Sequence, residues 1–181
     1  KMIINEIAFD GTLKSGHQVE VGYYAQVQEK SMDDNLSVLQ TIEDVATGEW
    51  SNISRVRGLL GAFLFDENDV DKKVRVLSGG EKSRLALAKL LLKPVNLLIL
   101  DEPTNHLDIQ AKEVLKQALL QYDGTLILVS HDRDFLQGLT TRTFEFKNKK
   151  IKEHLGNVSE FLSKHSVQTF REFESNKNTK S

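Results

Sequence analysis

The chain has 181 residues, of which 39% are hydrophobic and 28% charged, and its formal net charge is −2. These values are ordinary for one globular domain, and so small a net charge gives no strong field that would draw the chain to nucleic acid or to a membrane. The lack of cysteine excludes disulfides and thiolate metal sites, and no apolar run approaches the roughly 20 residues that span a bilayer, so we expect a cytoplasmic protein without a membrane segment.

The first third of the chain predicts short strands followed by helices. Lys1 to Ala8 has the pattern of the apolar end of a helix with no cap before it. Two short strands are predicted, one at Thr12 and Leu13 and one with alternating character from Val19 to Tyr24. Helical spacing then predicts three helices, over Asn35 to Ala46, Ile53 to Phe65 and Ser78 to Leu92.

The pattern changes after the third helix. Two continuous apolar runs, Val95 to Leu100 and Thr125 to Val129, are typical of strands buried on both faces of a parallel sheet. Between them, Ile109 to Tyr122 predicts an amphipathic helix that Asp108 can cap. We therefore predict an α/β fold, in which a helical sub-domain at about residues 33 to 92 is inserted into a parallel-sheet core.

The last part of the chain predicts a hairpin and a helix. Thr143 to Glu153 resembles a hairpin that turns at Asn148 and Lys149, and Val158 to Phe173 has helical spacing. A cluster of lysines lies on this hairpin: Lys147, Lys149, Lys150 and Lys152. A solvated turn is the favoured interpretation of this cluster, and a contact with RNA phosphates is the alternative.

Polar side chains follow both apolar runs. Asp101 and Glu102 come after the first, and Ser130 and His131 come after the second. In open parallel sheets, ligands bind beyond the carboxyl ends of the strands. One carboxylate could orient a hydrated magnesium ion while the other faces a water molecule, and a histidine could donate a hydrogen bond to a terminal phosphate. Alternatively, the two acids cap a helix and the histidine lies at the surface.

A glycine pair precedes the third helix, in the segment Leu77-Ser78-Gly79-Gly80-Glu81-Lys82. Ser78 followed by Glu81 fits a capping box. Two glycines go beyond what a cap requires, since they bare backbone N–H groups at a helix N-terminus and so form an anion site. We interpret the segment as both a cap and a phosphate contact.

Five motifs together resemble those of ATP-binding cassette domains, and they occur in the family's order. Leu77 to Glu81 is similar to the signature motif, Leu97 to Pro103 to the Walker B strand, Leu107-Asp108 to the D-loop, Ser130-His131-Asp132 to the histidine switch, and Gln26 to the Q-loop glutamine. The resemblance covers about residues 1 to 165, and residues 166 to 181 are predicted as the end of a helix and a polar tail.

The resemblance implies a P-loop NTPase-like fold, with ATP and Mg²⁺ as ligands and hydrolysis of ATP to ADP and phosphate as the reaction. It implies that Glu102 and His131 are catalytic and that Asp101 and Gln26 lie at the metal. The nucleotide-binding residues that it implies are Gln26, Asp101, Ser78, Gly79, Gly80, Glu81 and Asp108.

The pair Asn105-His106 narrows the resemblance. Transporter domains usually have Ser-Ala at these positions, whereas Asn-His is typical of the F subclass, whose members carry two cassettes on one chain, lack membrane domains and act on the ribosome. The segment Gly80 to Leu85 resembles the second of those cassettes. The partners implied are the other cassette of the same chain, the ribosome and tRNA. Asn105 and His106 could also be ordinary turn residues before the Asp108 cap.

A cassette also needs Gly-x-x-x-x-Gly-Lys-Ser/Thr, the Walker A loop that holds the phosphates. The segment from Gly11 to Gly16 is followed by a predicted strand in place of the lysine and helix, and the segment from Gly80 to Ser83 has Glu81 where glycine belongs. We therefore expect this loop to lie upstream of Lys1. The 181 residues alone are then expected to bind ATP weakly and to be inactive.

Two other functions remain open. The chain could be the cytoplasmic ATPase subunit of a transporter, with the helical insert docked on a membrane partner. It could also be a degenerate cassette that serves as a binding module, although the presence of Glu102 and His131 argues against a dead site.

Overall fold

The computed structural model describes residue 3 and residues 7–25, 32–105 and 107–164. In chain order, its strands and α-helices are β1 (Val21–Ala25), α1 (Val38–Glu43), α2 (Ile53–Ala62), α3 (Gly79–Leu91), β2 (Leu97–Asp101), α4 (Ile109–Leu120), β3 (Thr125–Val129), α5 (Arg133–Leu136), β4 (Arg142–Lys147), β5 (Lys150–Leu155) and α6 (Val158–Lys164).

Strands β1, β2 and β3 form one parallel sheet with β2 in the centre. The side chains of β2 are buried on both faces: Leu98 and Leu100 join the main hydrophobic core, and Ile99 packs with Tyr23 on the opposite face. A parallel strand covered on both sides needs a continuous apolar sequence, which β2 has. The predicted α/β fold with a parallel sheet is confirmed. The burial predicted for β3 on both faces is wrong, because β3 lies at the edge of the described sheet and its Ile127 and Val129 are exposed.

The helices between β1 and β2 pack on one another and share the main core with the sheet. Helix α1 begins after Ser37, which forms a capping box with Gln40, and it buries Val38 and Ile42. Helix α2 ends at Ala62, before Leu64 takes a left-handed backbone with φ 63°. Both helices are therefore shorter than the sequence predicted. The Ser37 cap makes α1 begin later, and the backbone reversal at Leu64 makes α2 end earlier.

Gly22 in β1 allows a close approach of the helix layer. A Cβ atom at this position would lie 3.0 Å from Val95, 3.1 Å from Leu98 and 3.2 Å from Leu90. Leu90 belongs to the last turn of α3, so the end of that helix lies over the beginning of β1. A side chain at position 22 would require these neighbouring side chains to shift by a few tenths of an ångström.

The predicted strand at Thr12 and Leu13 is wrong, because both residues are exposed and lie outside any strand. Strand β1 also begins later than predicted, at Val21. Just before it, the side chain of Asn96 accepts a hydrogen bond from Glu20 N at 2.9 Å and donates one to the carbonyl oxygen of Gln18 at 2.8 Å. An amide side chain thus satisfies backbone groups that a neighbouring strand would otherwise bind.

Strands β4 and β5 form an antiparallel hairpin. Asn148 and Lys149 at its turn have φ values of 50° and 57°, the left-handed pair that a two-residue hairpin turn requires. The predicted hairpin and its turn are confirmed, and all four clustered lysines are exposed.

Several sequence predictions fall partly or wholly outside the described residues. These are most of the helix end at Lys1 to Ala8, the part of the last helix beyond Lys164 with the polar tail, Gln26 and His106. Among the helices that the structure describes, none has both the length and the apolar character needed to cross a membrane.

Candidate functional site

The three parallel strands end at the same level. Asp101 in β2 is paired with Ala25 in β1 and with Val129 in β3. The residues that follow these strands therefore leave the sheet at one edge, where Glu102 and the loop of His131 meet. Gln26, which follows β1, lies outside the described residues.

The backbone of Glu102 turns sharply at the end of β2. Its φ of 50° is left-handed, which is uncommon for a residue with a side chain and costs on the order of 1–3 kcal/mol. Two hydrogen bonds hold this conformation: Glu102 N donates to the carbonyl oxygen of Val129 at 2.8 Å, and Asn105 N donates to the carbonyl oxygen of Glu102 at 3.2 Å. The carboxylate is thereby turned away from the line of the strand.

The Glu102 carboxylate faces His131. The distance from Glu102 Oε1 to His131 Nε2 is 3.4 Å, and the Glu102 side chain is 23% exposed against 61% for His131. Oε1 itself is buried and accepts no hydrogen bond from the described part of the chain. A buried carboxylate oxygen without a donor is unfavourable, so this oxygen is available to accept a hydrogen bond from a ligand or a water molecule.

The loop that carries His131 is held by its neighbours. Asp132 caps α5 by accepting a hydrogen bond from Phe135 N at 3.0 Å, and its own N–H donates to Ser130 Oγ at 3.1 Å. Lys112 of α4 adds an ion pair of 2.7 Å to the Asp132 carboxylate. Burial raises the pKa of Asp132, but the Lys112 hydrogen bond and the backbone donors outweigh it and leave that pKa below the ordinary value.

The segment before α3 forms the predicted capping box. Ser78 N and Ser78 Oγ donate to Glu81 Oε2 at 2.7 and 2.6 Å, and Glu81 N donates to Ser78 Oγ at 3.3 Å. These Ser78 donors hold the pKa of Glu81 below its ordinary value. Gly79 is exposed, and a Cβ atom there would meet none of the described residues within 4 Å, so packing against this part of the chain gives no reason for a glycine.

Helix α3 carries this segment toward the strand ends. Its last turn lies over the beginning of β1, so the helix runs against the direction of the strands. One turn from its N-terminus, Arg84 forms an ion pair of 3.4 Å with Asp108, which caps α4 by accepting from Ala111 N at 2.7 Å. The structure thus brings the signature helix and the D-loop aspartate into contact.

The metal prediction involves Asp101 and Gln26. Within the described ranges, no group of three histidine, cysteine, aspartate or glutamate side chains could hold a metal ion. Asp101 is half-buried at the end of β2, and Gln26 lies outside those ranges. A magnesium ion bound to phosphates keeps several waters and uses only one or two carboxylates, so the single carboxylate of Asp101 is compatible with it.

Sequence patterns did not predict the contacts that link these elements. Lys112 and Arg84 had no predicted partner, although each forms an ion pair with a residue of a predicted motif. No local pattern marks them, because their partners are 20 and 24 residues away along the chain. A basic residue on an amphipathic helix, facing an acidic cap, was the only available signal.

A parallel sheet with carboxylates and a histidine beyond its strand ends, next to a helix that begins at a glycine pair, defines a nucleotide-binding domain of the α/β class. A family profile described as ABC transporter matches residues 3–105, more than half of the chain. The chain belongs to the ATP-binding cassette family, whose domains bind and hydrolyse ATP.

The relatives place the chain in the F subclass. It is 46% identical over 169 residues to the ATP-binding protein YdiF of Bacillus subtilis, an alignment that covers 93% of the chain and 26% of that protein. It is 41% identical over 158 residues to ABC transporter F family member 2 of Arabidopsis thaliana, with 87% and 23% covered. The chain therefore spans about a quarter of the length of these relatives.

A solved structure shares the fold. A dimeric ATP-binding cassette, in a post-hydrolysis state with bound ADP and phosphate, matches the chain with a TM-score of 0.60 at 23% identity. The match covers 76% of this chain and 63% of that one. This likeness shows the common cassette architecture.

Proposed function

We propose that Glu102 and His131 form the hydrolytic centre of an ATPase that belongs to the F subclass. Glu102 acts as the general base that takes a proton from the attacking water, and His131 donates a hydrogen bond to the terminal phosphate. One observation carries the proposal: Glu102 Oε1 is buried without a donor in the described part of the chain and lies 3.4 Å from His131 Nε2.

Asp101 and Gln26 would hold the magnesium ion of the bound ATP. The ion, when bound, neutralises charge on the phosphate oxygens. Asp101 is the last residue of β2 and is adjacent to Glu102, so the same strand end would supply the group near the metal and the group near the water. Asp101 is the last strand residue, and the left-handed backbone begins only at Glu102.

The signature segment would bind ATP held by a second cassette. Ser78, Gly79 and Gly80 begin α3, where backbone N–H groups favour an anion. Its capping box is already complete within the chain, and the space beside Gly79 is open, so this surface can meet an external phosphate without any rearrangement. The similar solved cassette is a dimer, which supports a partner cassette as the second half of the site.

We also propose that the whole protein works in the cytoplasm and acts on the ribosome in translation. Membership of the F subclass supports this role, since the Asn105-His106 pair is typical of that subclass, whose members lack membrane domains and act on the ribosome. Asn105 is exposed beside the catalytic turn, where a macromolecular partner or the second cassette could reach it.

The test uses Glu102→Gln in the full-length protein that contains this chain. Glutamine keeps the size of the side chain but cannot accept the proton, so kcat for ATP hydrolysis should fall by roughly a hundredfold or more. Glu113→Gln is the matched control, because Glu113 is an exposed glutamate on α4. Unchanged hydrolysis by the Glu102 variant would reject the catalytic assignment.

The translation role has a separate readout. A variant that binds ATP but hydrolyses it slowly should accumulate in its ATP-bound state, so Glu102→Gln should sediment with ribosomes in ATP more than the wild-type protein does. An inactive variant that never sediments with ribosomes would reject the ribosomal role and leave the ATPase assignment intact.

A further inference from the structure

Asp132 determines the geometry of the loop that carries His131. It follows His131 directly, and its backbone and side chain bind on both sides of the loop: to Ser130 Oγ at 3.1 Å and to Phe135 N at 3.0 Å. A movement of Asp132 must therefore move His131. Any group that fixes the position of Asp132 therefore also influences the distance between His131 and Glu102.

Lys112 of α4 is such a group. Its Nζ lies 2.7 Å from Asp132 Oδ2, and the two side chains are only 35% and 23% exposed. One turn further along α4, Lys116 Nζ donates to the carbonyl oxygen of Asp134 at 2.7 Å. Two lysines four residues apart face the same side of a helix, so α4 contacts the beginning of α5 at two successive points.

The N-terminus of α4 directly follows the D-loop. Asp108 caps the helix, and Arg84 of α3 pairs with it at 3.4 Å. Helix α4 thus has an ion pair to the signature helix at its N-cap and an ion pair to the histidine loop one turn later. The two residues are four positions apart, which is about 6 Å along the helix axis.

We infer that Lys112 is a positioning residue, which fixes His131 through Asp132 and ties it to the D-loop helix. The inference rests on the catalytic roles proposed above for Glu102 and His131. Lys112 is too far along α4 to be part of any motif in the sequence, and it contacts the loop and not the reacting atoms. Lys112 therefore affects the position of His131 and, through that position, the kcat for ATP hydrolysis.

The ion pair between Lys89 and Asp44 shows what a purely structural contact looks like in the same chain. Its atoms are 3.8 Å apart, and the Asp44 side chain is 65% exposed. Neither residue lies near the strand ends. Lys89→Met therefore removes a lysine of similar exposure without touching the histidine loop, and it serves as the matched control for Lys112→Met.

The experiment compares the two methionine variants in the full-length protein. Lys112→Met should lower kcat for ATP hydrolysis about tenfold, because small misplacements of a catalytic group have effects of this order or larger, while KM for ATP changes little. Lys89→Met should keep wild-type kcat. Lys112→Arg, which preserves the charge, should recover most of the lost rate. If Lys112→Met keeps wild-type kcat, the inference is wrong.

A double-mutant cycle asks whether Lys112 acts through Asp132. If it does, Lys112→Met should cause little further loss of kcat in an Asp132→Asn background. Full additivity of the two losses would overturn the inference. The melting temperature of each variant shows whether it is folded, and Lys112→Arg provides the comparison if the methionine variant is not.

Glu102→Gln, measured in the same assay, separates this inference from the proposed function. If that variant keeps its activity, the proposed catalytic centre fails. If it loses activity while Lys112→Met does not, only the positioning role fails.

Discussion

Two polar regions of this chain differ in how complete they are. At the N-terminus of α3, Ser78 and Glu81 satisfy each other, and the adjoining Gly79 faces open space. At the strand ends, Glu102 has a left-handed backbone, and its buried Oε1 has no donor among the described residues. We call the N-terminus of α3 the outward region, because its polar groups satisfy one another and Gly79 faces open space. We call the strand ends the inward region, because Glu102 Oε1 is buried and no described residue donates to it.

This difference supports the proposal that the strand ends act within their own chain and that the N-terminus of α3 acts on a partner. A carboxylate held under strain in a half-buried position is typical of a group that takes part in chemistry. A satisfied helix N-terminus with bare glycines is suited to receive an anion that another molecule presents. Substitutions in the two regions should therefore impair ATP hydrolysis in different ways.

The largest effect tests the inward region. His131→Ala removes the side chain that faces Glu102, and kcat of the full-length ATPase should fall about a hundredfold, within the range of a positioned acid–base or hydrogen-bonding group. The melting temperature should stay the same, because His131 is largely exposed. His17→Ala, at another exposed histidine, is the control. Equal rates for both variants would remove His131 from the site.

The next effect tests the outward region. Gly79→Val adds a branched side chain whose Cβ meets none of the described residues within 4 Å, so folding should be unaffected. ATP hydrolysis by the paired cassettes should fall by about tenfold or more, because the proposed phosphate and partner would approach closely there. Gly58→Val on α2 is the control, since Gly58 is also an exposed helical glycine with open space around it. Similar activity in both variants would contradict a role for the signature segment in binding.

The smallest effect tests whether the charge of Glu81 contributes to the capping box of the outward region. Glu81 has a pKa below its ordinary value of 4.5 because Ser78 donates hydrogen bonds to it. A depressed acid pKa gives stability that is present above the ordinary pKa and lost as the pH falls through the folded value. Glu81→Gln should therefore lower stability by about 0.5 kcal/mol at pH 7, with the partial exposure of the pair keeping the effect small, and by less at pH 3.

Thermal unfolding of the wild-type protein and of Glu81→Gln at the two pH values provides the measurement. The difference between their melting temperatures should shrink at the lower pH. A difference that is the same at both would mean that the charge of Glu81 has no part in the cap.

The sequence predicted best those elements whose signals are local. Strand β3 matches its predicted range residue for residue, because Gly124 and Ser130 bound an uninterrupted apolar run. The cap at Ser78 and the turn at Asn148 and Lys149 were also predicted, since each depends on residues that are neighbours in the chain.

Features that depend on distant residues escaped prediction. The strand expected at Thr12 and Leu13 is absent, because a strand needs a partner and a local pattern does not reveal whether one is available. The conformation of Glu102 depends on Val129, which lies in the next strand. The ion pair between Lys112 and Asp132 joins two elements that only the folded sheet and its crossover helix bring together.

The left-handed backbone of Glu102 has a consequence for the evolution of this fold. Glycine would adopt the same conformation at no steric cost, so the position is one where a substitution could relieve strain of about 1 kcal/mol or more. That gain is open only to a chain that gives up the carboxylate. With Glu102 as the proposed general base, selection for stability and selection for hydrolysis act in opposite directions at this one residue.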